Sequence, residues 1–437
     1  MKKQIIFISA VMIIFSLSCS RKKNTEKKVI EYMFPGGAAM STIMERMKNE
    51  FMKKNTEYLI TLTHIARWSE YQNKVITRIV GGNPPDIIID APNLTYDLYE
   101  RGALYDLTEY IENDSDFGII KNNLNPPEIL NIGKIQGRYY SVPGWMNPQV
   151  LFYNKEIFTR HGVPYPPKDW SFKDFTKAVI DLTEKDQSGK TTCYGLLMAG
   201  SIEWLLPLNN SSIISKDGSK VTFNSKKSYD ILKWYQDLVF IHKSAPKLVN
   251  SGEDNTGLTP SDIFQMGKAA MFIGNYSSVT DFIPKKNLSF DIVMLPRMVP
   301  EGKIFNNFIC WMVLKNSKHS RGAFEFIKFL AGPDFQKVCA RINIGVPILK
   351  SIQSSKLFLN PSLPPENKQA VINSLDYTFY LERYKNKTIK DNIRKTGLAF
   401  MDPKTYSLRS CLDEDSAAIK NAMDELKNAG QLQYDNY

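Results

Sequence analysis

The stretch Arg67–Asp90, RWSEYQNKVITRIVGGNPPDIIID, carries the signal that decides the fold. Tyr71–Val80 reads as a helix closed by the pair Gly81-Gly82, because two glycines in a row favour leaving the helical conformation. Asp86–Asp90 places three isoleucines between two acids and reads as a strand buried on both faces. The pattern repeats on either side. Upstream, Val29–Phe34 is a strand candidate, Ser41–Lys53 a helix with Ile43, Met44, Met47 and Phe51 on one face, and Leu59–Thr63 a second strand. Downstream, Tyr96–Arg101 is helical and Gly102 ends it. Strands alternating with helices predict βαβ units and a largely parallel sheet, an α/β fold.

Farther along, the alternation is predicted to break at Tyr139–Pro148 (YYSVPGWMNP), where Pro143, Gly144 and Pro148 interrupt regular structure. A strand is expected to resume at Val150–Tyr153. Helices follow at Lys155–His161, Trp170–Glu184, Tyr229–Phe240, Ser320–Leu330 (stopped by Gly332-Pro333) and Asp415–Ala429. Further strands are predicted at Ala270–Ile273, Ile292–Leu295 and Phe308–Leu314. At 437 residues the chain is long enough for two or three domains.

The N-terminus carries a separate message. Lys2 and Lys3 precede Ile5–Leu17, a run without charge that is too short for a bilayer span and suits the apolar core of a secretory signal peptide. Ser18-Cys19 follows, and the small residue before a cysteine resembles a bacterial lipobox. Residues 1–18 are expected to be a signal peptide and Cys19 the lipidated mature N-terminus. Residues 19–28, ending in the polar run SRKKNTEKK, are expected to form a flexible tether. This predicts an exported monomer, lipid-anchored to the cell membrane on its periplasmic or extracellular face.

Several functions are excluded or made improbable by composition. Lys plus Arg exceed Asp plus Glu by 11, but the basic residues are scattered, so no nucleic-acid partner is expected. No phosphate-cradling loop, HExxH or GxSxG occurs. The four histidines lie far apart, so no metal and no cofactor are expected. Beyond Cys19, Cys193, Cys310, Cys339 and Cys411 form no CxxC pair and read as buried free thiols.

Six segments in order carry a family resemblance. They are RWSEYQNKVITRIVGGNPPDIII (67–89), YDLYERGALYDLTEYI (96–111), GRYYSVPGWMNPQVLFYNKEIFTRHGV (137–163), FQMGKAAMFIGNYS (264–277), VMLPR (293–297), and SKHSRGAFEFIKFLAGPDFQ with IGVP (317–336 and 344–347). Together they resemble bacterial extracellular solute-binding proteins of the sugar-binding family that serves ABC importers, the family of maltose-binding protein. The resemblance implies a two-lobe periplasmic-binding-protein fold of type II, with the ligand cleft between the lobes. It implies lobe 1 from residues 29–142 plus 312–347 and lobe 2 from 143–311 plus 348–437, with hinges near Pro143-Gly144 and Pro347. The implied activity is capture of a mono- or oligosaccharide and delivery to ABC permease subunits, without catalysis. An exported carbohydrate-active enzyme or a surface adhesion lipoprotein is the alternative.

A pyranose has an apolar face and a rim of hydroxyls, so its site combines aromatic rings with amides and acids. Trp145 lies in the Pro/Gly-rich crossover, and the resemblance places Asn147 at a polar ligand position. Tyr276, with Asn275 beside it, stands where the family commonly has Trp. Asp90 and Asn93 end the DIIID strand, where open α/β sheets bind ligands. Trp68 precedes the second helix, Trp204 lies in a stretch of weak register, and Asn307 precedes a returning strand. Trp170, Trp234 and Trp311 are expected in the core.

Overall fold

The computed structural model describes residues 27–90, 92–247, 258–379, 393–400 and 402–428. The expected signal peptide, Cys19 and most of the expected tether lie outside the described residues. Among the described residues no helix is long and apolar enough to cross a membrane.

Thirteen strands are described: β1 (Lys28–Pro35), β2 (Tyr58–Ile65), β3 (Ile87–Asp90), β4 (Lys134–Ile135), β5 (Arg138–Tyr139), β6 (Val142–Asn154), β7 (Glu184–Lys185), β8 (Thr191–Met198), β9 (Ala269–Asn275), β10 (Phe290–Val293), β11 (Ile304–Val313), β12 (Val346–Pro347) and β13 (Thr378–Phe379). The main sheet runs β2-β1-β3-β11-β6-β9-β8-β7, with β10 and β12 also paired to β6 and β13 to β11. β1 pairs in parallel with β2 and β3. The helices Ala38–Lys54 and Trp68–Val80 supply the crossovers that parallel pairing requires. Every residue of β3 is buried, as its isoleucine run predicts. β11 then lies antiparallel between β3 and β6, so this half of the sheet is mixed rather than purely parallel.

Over Val142–Pro148 the expected break is instead the first half of the longest strand. β6 runs unbroken and buried through Pro143, Gly144 and Pro148. A β-bulge makes this possible. Ile309 pairs with Trp145 and Cys310 with Pro143, which leaves Gly144 as the extra residue. Glycine suits the position because a Cβ there would sit 3.1 Å from both the Ile309 carbonyl oxygen and the Trp311 ring. Gln336 secures the bulge. Its Nε2 donates to the Gly144 carbonyl at 2.8 Å, and its Oε1 accepts from the Ile348 amide at 2.8 Å.

Gly332-Pro333, read as a stop, is also a start. Helix Ser320–Ala331 ends there, and Pro333 opens the helix Pro333–Ile342 at a position where its missing N–H costs nothing. The expected helix Trp170–Glu184 is shorter, Phe172–Asp181. The Ser171 hydroxyl caps it by accepting from the Asp174 amide, and Glu184 opens β7.

Two apolar clusters form the core. The larger joins β1–β3 and β11 to the helices around them and extends to Phe152, Phe264, Phe272, Phe282 and Phe290. The second packs the helices Phe172–Asp181, Lys226–Phe240 and Leu408–Asn428 on the other face of β8 and β9. Trp311 is fully buried, while Trp170 and Trp234 pack half-buried against the second cluster. Cys193, Cys310, Cys339 and Cys411 are all buried thiols.

Candidate functional site

The two longest strands change partners along their length. β6 pairs with β11 over residues 142–148, then with β9 from Gln149 and with β10 from Leu151. β11 starts against β13, pairs with β6 from Asn306, and ends against β3. The change falls at Asn147–Gln149 on one strand and at Phe305–Asn307 on the other, and there the chain places a concentration of amides.

Side chains alternate along a strand, so Asn147 and Gln149 share one face. Asn307 stands opposite Asn147, and Asn275 opposite Gln149. Four amides thus meet on one face of the crossing. The Asn147 side chain donates to the Ser277 hydroxyl at 2.9 Å and accepts from the Ser277 amide at 2.8 Å. Asn307 is half-buried, and its Oδ1 accepts from the Phe308 amide at 3.0 Å. From the neighbouring position Asn306 accepts a 3.2 Å hydrogen bond from the Asn147 amide, while its own Nδ2 is buried without a partner.

The other expected residues fall into two groups. Trp204 is half-buried and lies 4.6 Å, ring to ring, from Phe305, so it adjoins the start of β11 beside Asn306 and Asn307. Trp145 and Tyr276 adjoin the amides in sequence, but their rings are turned into the core. Trp145 is 6% exposed and packs against Trp311 and Phe335. Tyr276 is fully buried, packs against Phe358, and donates from its hydroxyl to Asn343 Oδ1 at 2.8 Å. Burial pushes the Tyr276 hydroxyl far above the usual tyrosine range, so it stays a neutral donor. The second group sits at the C-terminal ends of β2 and β3. Asp90 is buried and accepts two hydrogen bonds from Gln72, at 3.2 and 3.0 Å. Trp68 is 41% exposed and stands edge-on to Tyr71. The side chain of Asn93 lies outside the described residues.

Gln149, Ser277 and Asn306 were not singled out from the sequence. A polar residue directly before the apolar run Val150–Tyr153 was the available signal, since a glutamine inside an otherwise apolar strand has to find a partner. Among the described residues no group of His, Cys, Asp or Glu is placed to hold a metal ion. The crossing offers neutral donors and acceptors with aromatic rings beside them, which is chemistry for recognising hydroxyls.

Comparison with known proteins agrees with the architecture. The ABC substrate-binding protein of Listeria monocytogenes solved with cycloalternan superposes with a TM-score of 0.79, at 25% identity, over 91% of this chain and 100% of that one. The sugar-binding protein MalE of Xanthomonas citri matches in fold alone, with a TM-score of 0.76 at 15% identity over 93% of this chain and 100% of that one. These neighbours identify the fold as the two-lobe α/β architecture of type II periplasmic binding proteins. The multiple sugar-binding protein of Streptococcus mutans is 25% identical over 380 residues, 81% of this chain and 83% of that protein. The model of the family described as bacterial extracellular solute-binding proteins matches residues 46–364, and the chain belongs to that family.

Proposed function

We propose that this protein is the sugar-capturing receptor of an ABC importer, held at the membrane through a lipid on Cys19. The observation that carries the reading is the set of amides Asn147, Asn275 and Asn307 on one face of the crossing strands, with Trp204 beside them. An amide both donates and accepts, as a sugar hydroxyl does, and an aromatic ring covers the apolar sugar face. The relatives support the same ligand class: one is named for diacetylchitobiose, another for multiple sugars, and a structural neighbour was solved with cycloalternan.

In this reading the first lobe is built on β1–β3 and the second on β8–β10, with β6 and β11 crossing between them. Asn147, Asn275, Asn307 and Trp204 meet the sugar from the crossing and the second lobe. Trp68, Asp90 and Asn93 meet it from the first lobe. Trp145 and Tyr276 stiffen the crossing from within the core. Delivery to permease subunits needs no turnover, only a loaded receptor that differs in shape from an empty one.

Calorimetric titration with maltose, mannotriose, diacetylchitobiose and cycloalternan tests the proposal. At least one sugar is expected to bind, and Asn147→Ala to weaken it on the order of tenfold or more, because a buried hydroxyl partner is lost. No binding across the panel, or release of reducing sugar from the oligosaccharides, would overturn it. For the anchor, cells fed a radioactive fatty acid are expected to label the wild-type protein and not Cys19→Ala.

A further inference from the structure

Two side-chain pairs stand side by side on the amide face of the crossing. In the first, Asn147 and Ser277 satisfy each other with two hydrogen bonds. In the second, Gln149 and Asn275 face each other directly and form none. Gln149 is wholly buried, yet its amide nitrogen and its amide oxygen both lack a partner. The Oδ1 of Asn275 is buried and bare as well. The remaining buried atoms without partners are mostly single hydroxyls, on Ser141, Tyr235, Ser244 and Ser416. Among the described residues only Gln149 has two.

A buried amide left bare is destabilising, and an apolar side chain of similar size would avoid that penalty. The chemistry of the three atoms indicates what satisfies them. Gln149 Nε2 donates, while Gln149 Oε1 and Asn275 Oδ1 accept. A phosphate or carboxylate brings only acceptors and would meet two oxygens. A cation would meet a donor and no carboxylate. Two neighbouring hydroxyls, each able to donate and to accept, match all three. Asn275 is half-buried and lies two residues from Ser277, on the face that carries Asn147.

We infer that Gln149, with Asn275, is a specificity-determining contact that takes a neutral pair of hydroxyls from the ligand and selects a sugar end over a phosphorylated one. This assignment rests on the sugar-receptor reading and adds to it a residue and a choice between ligand classes. That choice matters because one relative, from Rhizobium meliloti, is named for sn-glycerol-3-phosphate.

The test uses the full chain in detergent, as wild type, Gln149→Leu and Asn275→Ala. Each is titrated with maltose, mannotriose, diacetylchitobiose, cycloalternan and glycerol 3-phosphate, and each is melted without ligand. Wild type is expected to bind a sugar in preference to glycerol 3-phosphate. Gln149→Leu should weaken that sugar on the order of tenfold or more, while its ligand-free melting temperature holds or rises. Sugar affinity within about twofold of wild type overturns the assignment, whether or not the melting temperature falls. Preferential binding of glycerol 3-phosphate overturns it too. If Gln149→Leu does not fold, Asn275→Ala is judged by the same affinity criterion. A wild type that binds no sugar overturns the receptor reading itself, and this assignment falls with it.

Discussion

Lys368 is a cation in an unusual setting. It is 2% exposed, and its Nζ donates to the carbonyls of Asn360 at 3.1 Å and Leu363 at 2.7 Å. Burial pulls its pKa from the ordinary 10.5 down to about 8, against the pull of nearby Asp291. Below about 8 the ammonium is charged in the folded and unfolded states alike, and the cost of burying the charge is fully present. Between about 8 and 10.5 the unfolded chain binds more protons than the folded one, so stability rises with pH. Urea unfolding of wild type and Lys368→Met should therefore show a gap that shifts in favour of wild type from about pH 7 to about pH 10. A gap constant across that range would show that the lysine keeps its ordinary pKa. At this scale the sequence was readable for residue type and less so for direction. Asn147 and Asn275 were named from the family resemblance, and Trp145 from its place in the Pro/Gly-rich crossover. Tyr276 was named from the resemblance too, yet the structure turns the rings of both Trp145 and Tyr276 inward, because packing against Trp311 and Phe335 in one case and Phe358 in the other holds them in the core. Truncating either ring is therefore expected to cost the fold about 3–5 kcal/mol, not only affinity.

Among the elements, β6 shows what local propensity misses. Two prolines and a glycine argue against a strand when read singly. They fit once the partner strand is known, because the bulge absorbs Gly144 and places Pro143 opposite Cys310. No single-chain pattern reveals a bulge that depends on a partner more than 150 residues away. The parallel elements β1–β3 were legible because each carries its own apolar run and Gly81-Gly82 closes the helix that leads into β3. The bulge also rests on Gln336, which is fully buried and bonded to Gly144, Leu330 and Ile348. Gln336→Ala should cost on the order of 1–3 kcal/mol, since it strands a buried carbonyl and a buried amide. Chemical denaturation measures this directly. A loss under about 0.5 kcal/mol would mean that other groups hold the bulge.

For the whole molecule, the expected output is a change of shape. A ligand that touches both lobes favours the form in which all contacts are made together, and a shift from 1:99 to 99:1 takes about 5.5 kcal/mol of differential affinity. Small-angle scattering with a sugar confirmed by calorimetry should show a smaller radius of gyration, with a change in Trp204 emission. Superimposable profiles would indicate a rigid binder. The way β6 joins the two apolar clusters has a further consequence, for cooperativity. Val150 and Phe152 belong to one cluster, while Leu151 and Tyr153 between and beside them belong to the other. Melting either cluster would strip one face of the strand on which the other is built. The two clusters are therefore not expected to unfold separately, and a calorimeter should record one heat-absorption peak, with a van't Hoff enthalpy equal to the measured one.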